Sequence, residues 1–384
     1  MSNFTRILQP ARGSVFLFGV RGAGKSTWAR AAFPTATLFD LLDERLFLDL
    51  NAHPGRLTQA LDALRPGSTV ILDEVQRLPS LLNEVHRAIE DRKLRFLLLG
   101  SSARRLKTAG TNLLAGRATV QTMFPLVPAE LGSAFSLDRV LRFGSIPVIW
   151  NAPNPPAALE SYVQLYLKEE IRAEALVRNL PAFVRFLPVA ALFHGQVINV
   201  SGLARDAATS RTTVDGYIQI LEDTLVATRL PAFEAKLRTR ERVHPKLFWV
   251  DPGLVRAAKR QLTDISAEER GHLFEGWILT LLRAHNETTE IFDEIAYWAP
   301  GQARQLEVDF VLRRGRDLLA IEVKSSARVS AGDAGGLRAI GELPRVRRRI
   351  IIYTGTHRLA LDKGIEAWPL REFLDALAAN TLWP

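Results

Sequence analysis

Four short apolar runs, at residues 15–18, 37–41, 69–72 and 94–99, mark the first 130 residues, and stretches with apolar residues at helical spacing separate them. An unbroken apolar run of strand length needs cover on both faces, so the alternation predicts a parallel sheet between layers of helices. Residues 143–156, FGSIPVIWNAPNPP, are rich in Pro, Gly and Asn and predict a domain junction. A helical pattern follows over 159–192, interrupted at Pro181 and Pro188. Residues 201–221 read as two short helices joined by a turn, and 225–250 as a basic hairpin. From Gly271 the α/β pattern returns, with a helix over 274–285 and strands over 306–312, 318–323 and 349–353. The expected fold class is α/β, with a parallel-sheet domain at 1–150 and a helical lid or linker at 151–192. A winged helix-turn-helix at 193–260 and a second α/β domain at 261–384 complete the expected organisation.

A length of 384 residues fits two or three domains. Hydrophobic residues at 47% and charged residues at 24% are ordinary globular usage, which excludes disordered and fibrous classes. No apolar run reaches 18 residues and the opening MSNFTRILQPARG lacks the apolar stretch of a secretory leader, so no membrane association and a cytoplasmic location are expected. Cysteine is absent, which removes disulfides, thiolate zinc sites and cysteine nucleophiles. With 50 Lys and Arg against 41 Asp and Glu, the net charge of +9 favours a polyanionic partner such as DNA, the alternative being a surface that is merely basic.

The chemistry begins where the first apolar run ends. Residues 19–26, Gly-Val-Arg-Gly-Ala-Gly-Lys-Ser, match G-x-x-x-x-G-K-[ST] between that strand and a helical segment. Gly19, Gly22, Ala23 and Gly24 let successive backbone N–H groups turn towards phosphate oxygens, and the helix opening at Ser26 and Thr27 adds its partial positive end. Lys25 is expected to reach the β- and γ-phosphates of ATP, and Ser26 to ligate Mg²⁺. Residues 69–74, TVILDE, form an apolar strand ending in two carboxylates, with Asp73 expected to hold Mg²⁺ and Glu74 to polarise the attacking water. The run at 94–99 leads into Ser101 and Ser102, either of which can hydrogen-bond the γ-phosphate or the lytic water, or instead cap a helix.

The segments GVRGAGKST, LDEVQRLP, LLGSSARRL and LLAGRA resemble those of the prokaryotic AAA-type ATPases that carry a large C-terminal domain of unknown function. The likeness continues through EVDFVL and AIEVKSS. It implies a P-loop AAA-type ATPase using ATP and Mg²⁺, with Ser101 in the sensor 1 role, that works as a homo-oligomeric ring of the hexamer type. It also implies an arginine lent to the γ-phosphate of a neighbouring subunit, for which Arg117 of LLAGR is the candidate; the alternative for Arg117 is an ion pair with a local carboxylate.

Residues 201–221 look like a helix-turn-helix in which Ala204, Ala208 and Val214 take the interior positions and Ser210 caps the second helix. The apolar face of that helix is Val214, Ile218 and Leu221, leaving Arg211, Thr212, Thr213 and Gln219 for a major groove. In the hairpin, Arg229, Lys236, Arg238, Arg240, Arg242 and Lys246 stand against Glu234 and Glu241, the composition of a wing that tracks phosphates. A purely structural winged helix is the alternative.

Residues 307–311, EVDFV, and 318–324, LLAIEVK, flank the turn RRGR, and strand alternation puts Glu322 and Lys324 on one face with Asp309 beside them. The pattern resembles the PD-(D/E)XK nuclease core, a restriction-endonuclease-like fold, with Val308 where that motif has proline and Glu275 where it has a helical glutamate. The resemblance implies Asp309 and Glu322 as metal ligands, Glu275 as an outer ligand and Lys324 as the group that orients the attacking water. A nuclease-like fold without activity and a plain charged hairpin are the alternatives. The expected function is an ATPase that binds DNA and translocates on or remodels it, with or without metal-dependent cleavage. A nucleotide-gated regulator of DNA or protein with an inert C-terminal domain is the competing class.

Overall fold

The computed structural model describes residues 4–102, 114, 116–166, 179–234, 244–300 and 306–384. Strand β1 (Ser14–Phe18) is buried along its whole length. With β2 (Thr37–Asp40), β3 (Thr69–Asp73), β4 (Arg95–Gly100) and β5 (Ala118–Thr122) it forms an all-parallel sheet in the order β2-β3-β4-β1-β5. Alternate residues feed two core layers, as the pleat requires. Phe16, Phe18, Val70, Leu72, Phe96 and Leu98 pack against helices α2 (Glu44–Ala52), α3 (Gly55–Asp62) and α4 (Leu82–Arg92). Val15, Leu17, Ile71, Leu97 and Leu99 face the other way, onto helix α1 (Lys25–Ala32) and the rest of the chain. The four strands foreseen in this region are present. Edge strand β5 has no apolar run, and its Val120 is exposed, which is why it escapes a pattern search.

The Pro- and Gly-rich segment read as a junction is a packed connection, since Ser145, Ile146, Ile149 and Trp150 are buried. It follows helix α5 (Leu137–Phe143) and is fixed by Asp251, whose carboxylate accepts from Ser145 N at 2.7 Å and Leu254 N at 3.2 Å. At Gly144 the backbone has φ of +73° and a Cβ would lie 1.8 Å from Asp251 Oδ1, so no other residue fits there. Burial pushes the Asp251 carboxyl up to about 6, against its backbone hydrogen bonds. Helix α6 (Pro155–Ser161) comes next, then α7 (Leu180–Leu192). Of the two prolines read as interruptions, Pro181 falls where α7 begins, and only Pro188 departs from the pattern reading. Pro181 sits in the first turn, where no N–H is needed, and Pro188 is carried inside the helix.

Strand β6 (Gln196–Val197), helices α8 (Val200–Asp206) and α9 (Arg211–Asp223), and strands β7 (Ala227–Leu230) and β8 (Lys246–Trp249) follow, the strands pairing antiparallel as β6-β8-β7. Ser210 caps α9, accepting from Thr213 N at 3.1 Å, and Val214, Ile218 and Leu221 are buried. The interior residue of the turn is Ala207, not Ala208. Ala208 is exposed and takes φ of +49°, because the turn needs a left-handed residue at that point.

Helices α10 (Pro252–Lys259) and α11 (Ala267–Thr289) lead to the second large sheet. Strands β9 (Glu294–Trp298), β10 (Val308–Arg314) and β11 (Asp317–Lys324) are antiparallel neighbours. Helix α12 (Gly335–Ile340) crosses to β12 (Val346–Tyr353), which lies parallel to both β11 and β14 (Glu366–Pro369). The short β13 (Leu359–Ala360) closes the edge, and helix α13 (Leu370–Ala378) packs below. Among the described residues, no helix is long and apolar enough to cross a membrane.

One buried ion pair holds the N-terminal segment against the loop after β1. Arg6 Nε donates to Glu130 Oε1 at 2.9 Å, with side-chain exposures of 6% and 2%, and Arg6 Nη1 donates to Ala23 O at 2.9 Å. Glu130 also accepts from Ile7 N and Val127 N. Burial pulls the Arg6 guanidinium below its ordinary value, and Glu130 opposes that. Removing one partner leaves a buried charge unpaired, so Glu130→Gln is expected to cost about 3–5 kcal/mol. Urea unfolding checks this; a loss below about 1 kcal/mol would mean that water reaches the pair.

Candidate functional site

The loop over residues 19–24 turns back above the end of β1. Gly22 and Gly24 take φ of +77° and +91°, and Gly24 then caps α1. At Gly19 a Cβ would meet the Met123 carbonyl oxygen at 2.5 Å, so this loop is closed tightly against the chain beyond β5. Lys25 opens α1, is buried, and donates from Nζ to Gly19 O at 2.8 Å. Ser26 follows, its hydroxyl placed to act on the Asp73 carboxyl, while Thr27 is exposed.

Asp73, at the end of β3, is 2% exposed. Burial pushes its carboxyl up, the Ser26 hydroxyl pulls it down, and Asp40 on the adjoining strand end pushes it up again. Asp73 Oδ1 also accepts from Glu74 N at 3.0 Å. Glu74 has φ of +57°, a strained position for a side chain, and a short helical turn over Val75–Arg77 follows. That turn folds Gln76 back, so that its Nε2 donates both to the Glu74 carboxylate and to Ser101 Oγ, the latter at 3.0 Å. Ser101 and Ser102 are both buried at the end of β4. Gln76 and Asp40 were not singled out from the sequence. Gln76 is drawn in by the unusual backbone at Glu74, which no pattern reveals. Arg117, at the start of β5, is paired with Glu90 of α4 and is exposed. The Ser26 and Asp73 oxygens are hard donors of the kind Mg²⁺ takes.

On α9, Arg211 and Thr212 are exposed. Gln219, also exposed, donates to Asp223 Oδ1 at 3.2 Å and accepts from Arg229 Nη2 at 3.1 Å. Arg229 also pairs with Glu222. Lys236, Arg238, Arg240 and Arg242 lie outside the described residues.

In the C-terminal sheet the pairing of Phe310 with Ile321 sets Asp309 opposite Glu322, and Asp309 Oδ2 accepts from Val323 N at 2.8 Å. Glu322 binds Lys324 Nζ at 2.7 Å, and Lys324 lies 3.9 Å from Asp333. Among the described residues, the carboxylate group able to hold one ion contains Asp309 but not Glu322. Oxygens of Glu275, Glu307 and Asp309 lie within 4.8 Å of one another, with Glu307 just before β10. A lysine that the sequence reading assigned to the wing sits among them. Lys246 is 3% exposed, 2.9 Å from Glu275 Oε1, in contact with Glu307, and 3.9 Å from Asp309 Oδ1. Burial pushes Glu275 up to about 8, raises Asp309, and lifts Glu322 well above the usual carboxylate range. For Lys246, burial lowers the ammonium, and the opposing charges of Glu275, Asp309 and Glu307 overcome it. An all-carboxylate donor set suits Mg²⁺ or Mn²⁺, but a cationic side chain already lies among these groups.

Residues 11–132 match the family described as AAA domain, and with the P-loop and the parallel sheet this makes the N-terminal module an AAA-type P-loop domain. Residues 134–268 and 270–373 match two domains of unknown function, DUF8612 and DUF4143. Uncharacterized proteins of Mycobacterium tuberculosis and Mycobacterium bovis are each 29% identical over 383 residues, covering 96% of this chain and 82% of theirs. Among solved structures, the Aeropyrum pernix ORC1 protein in complex with DNA aligns with a TM-score of 0.27 at 14% identity, over 66% of this chain and 87% of that one. The replication initiator DnaA bound to AMPPCP and single-stranded DNA aligns at 0.28 and 14%, over 56% and 83%.

Proposed function

We propose that the chain hydrolyses ATP at the mouth of its parallel sheet, engages DNA, and uses hydrolysis to translocate on or remodel it as a homo-oligomer. The observation that carries the hydrolytic part is the convergence of the P-loop and β3, where Lys25 and Ser26 open α1 and Asp73, whose Oδ1 accepts from Glu74 N at 3.0 Å, ends the strand within reach of Ser26. In this reading the N–H groups of residues 19–24 and Lys25 hold the phosphates, and Ser26 and Asp73 would hold Mg²⁺, which neutralises charge on the phosphate oxygens. Glu74 polarises the attacking water, and Gln76 and Ser101 hold Glu74 and the γ-phosphate in register. Arg117 serves the neighbouring subunit's γ-phosphate, a role its exposure permits.

DNA engagement is supported by the net charge of +9 and by the element order α7-β6-α8-α9-β7-β8, which we read as a winged helix. Arg211 and Thr212 remain exposed on α9, and Arg238, Arg240 and Arg242 supply the wing's charge. The restriction-endonuclease-like reading of the C-terminal module is supported by Asp309, Glu322 and Lys324 meeting where β10 and β11 pair. The second reading, a nucleotide-gated regulator with an inert C-terminal module, is favoured by one observation, the Lys246 ammonium lodged among the carboxylates.

Lys25→Ala is expected to abolish nucleotide binding or turnover, and Glu74→Gln to retain ATP while slowing hydrolysis on the order of 100-fold or more. Phosphate release and filter binding measure both; near-normal turnover in the pair would overturn the site. Gln76→Ala is expected to lower kcat by about 10- to 100-fold with little change in KM, as loss of an orienting partner does. A pure rise in KM would instead make Gln76 a nucleotide-binding residue. Replacing Arg238, Arg240 and Arg242 by alanine should weaken binding to every DNA tested and flatten the salt dependence by about one unit of slope per lost phosphate contact. An unchanged salt slope would leave the wing a structural element.

A further inference from the structure

Lys246 belongs to the middle module by sequence and to the C-terminal carboxylate group by contact. It lies on β8, the central strand of the β6-β8-β7 sheet, and its ammonium reaches Glu275 on α11 together with Glu307 and Asp309 at the start of β10. Its place is fixed by the base of the hairpin. Phe233 N donates to Tyr297 O at 2.6 Å, Tyr297 N donates to Pro231 O at 3.0 Å, and the Tyr297 hydroxyl donates to the His244 carbonyl. The Tyr297 ring centre lies 5.4 Å from Lys246 Nζ, so the ammonium has an aromatic neighbour as well as carboxylates.

The group still has acceptor capacity to spare. Four carboxylates, Glu275, Glu307, Asp309 and Glu322, face two lysines, Lys246 and Lys324. Glu322 is 8% exposed and its Oε2 is buried with no hydrogen-bond partner among the described residues. Asp309 and Glu275 both act electrostatically on that carboxylate. An acceptor left over beside a cluster of oxygens marks a place for a cation.

We propose that Lys246 is an internal competitor for that place, so that its ammonium keeps divalent cations out of the C-terminal carboxylate group while β8 is docked. Like charges a few ångströms apart in a buried site exclude one another strongly, and the buried Lys246 ammonium already takes its partners from these carboxylates. The test can be read apart from ATP hydrolysis, because the ion pairs and hydrogen bonds of this group among the described residues lie away from the P-loop and the end of β3.

The test is Mn²⁺ binding by the purified full chain without nucleotide, read by electron paramagnetic resonance of the free ion. Wild type is expected to take up Mn²⁺ weakly, whereas Lys246→Met should gain one ion at an affinity about tenfold or more higher. Adding Asp309→Asn to Lys246→Met should remove the gain. Thermal melting shows whether each variant is folded. Lys246→Gln keeps hydrogen-bond donors for Glu275 and Glu307 and carries the test if the methionine variant melts below the assay temperature. Equal Mn²⁺ uptake by wild type and both Lys246 variants, or a gain that survives Asp309→Asn, would overturn the proposal. Loss of phosphate release in Lys25→Ala with this Mn²⁺ pattern intact would separate the two sites.

Discussion

In the parallel sheet, β4 lies between β1 and β3, and that insertion decides what the mouth of the sheet can contain. Parallel strands stand roughly 4.8 Å apart, so the ends of β1 and β3 are separated by about 10 Å. Neighbouring strand ends cannot bridge such a gap. Helix α1 bridges it instead, because the P-loop turns back over β1 and delivers Ser26 to Asp73. The interposed strand ends in Ser101, and Gln76 links that hydroxyl to Glu74. Ser26, Gln76 and Ser101 therefore meet Asp73 and Glu74 across one feature of strand order.

Buried charges as well as apolar packing fix parts of the chain against one another, and one of these charges, Lys246, joins two of the matched regions. Arg6 with Glu130 closes the N-terminal segment onto the P-loop, and Asp251 ties the segment after α5 to the start of α10. Lys246 ties the hairpin to α11 and β10. Apolar contacts would adhere over many registers, whereas a buried charge is costly wherever its partners are displaced. Each of these contacts thus fixes a register between parts of the chain, and a movement that separates those parts has to provide the charge with water or a new partner. Such movements are the ones a nucleotide-driven machine would couple to its working cycle.

Much of the fold was legible in the sequence because buried strands and amphipathic helices leave periodic patterns. The strands β1, β3, β4 and β10 to β12 are of this kind, and so is the apolar face of α9, while β2 carries an apolar run but is partly exposed. What escaped has physical reasons. Strand β5 is an edge with polar and exposed residues, β9 is an edge that opens on the exposed Glu294, and β14 ends in a proline. The proline at 188 looked like a break, yet packing of Phe183, Phe186 and Leu187 keeps α7 continuous. At the candidate sites, local motifs exposed Lys25, Ser26, Asp73 and Glu74, whereas Gln76, Glu307 and Lys246 become visible only through contacts. Lys246 read as a wing cation for good reason, since its neighbours in sequence are basic; only the fold shows that it points into a group of carboxylates.

The central claim is that the contact between the P-loop and β3 forms a hydrolytic site. The most direct measurement is the time course of phosphate release from ATP by the purified full chain, with Mg²⁺ and after its chelation, continued past one phosphate per subunit. The account predicts steady multiple turnover that chelation stops. ATP bound at one per subunit and recovered intact, with Mg²⁺ present and at every oligomer concentration tried, would contradict it.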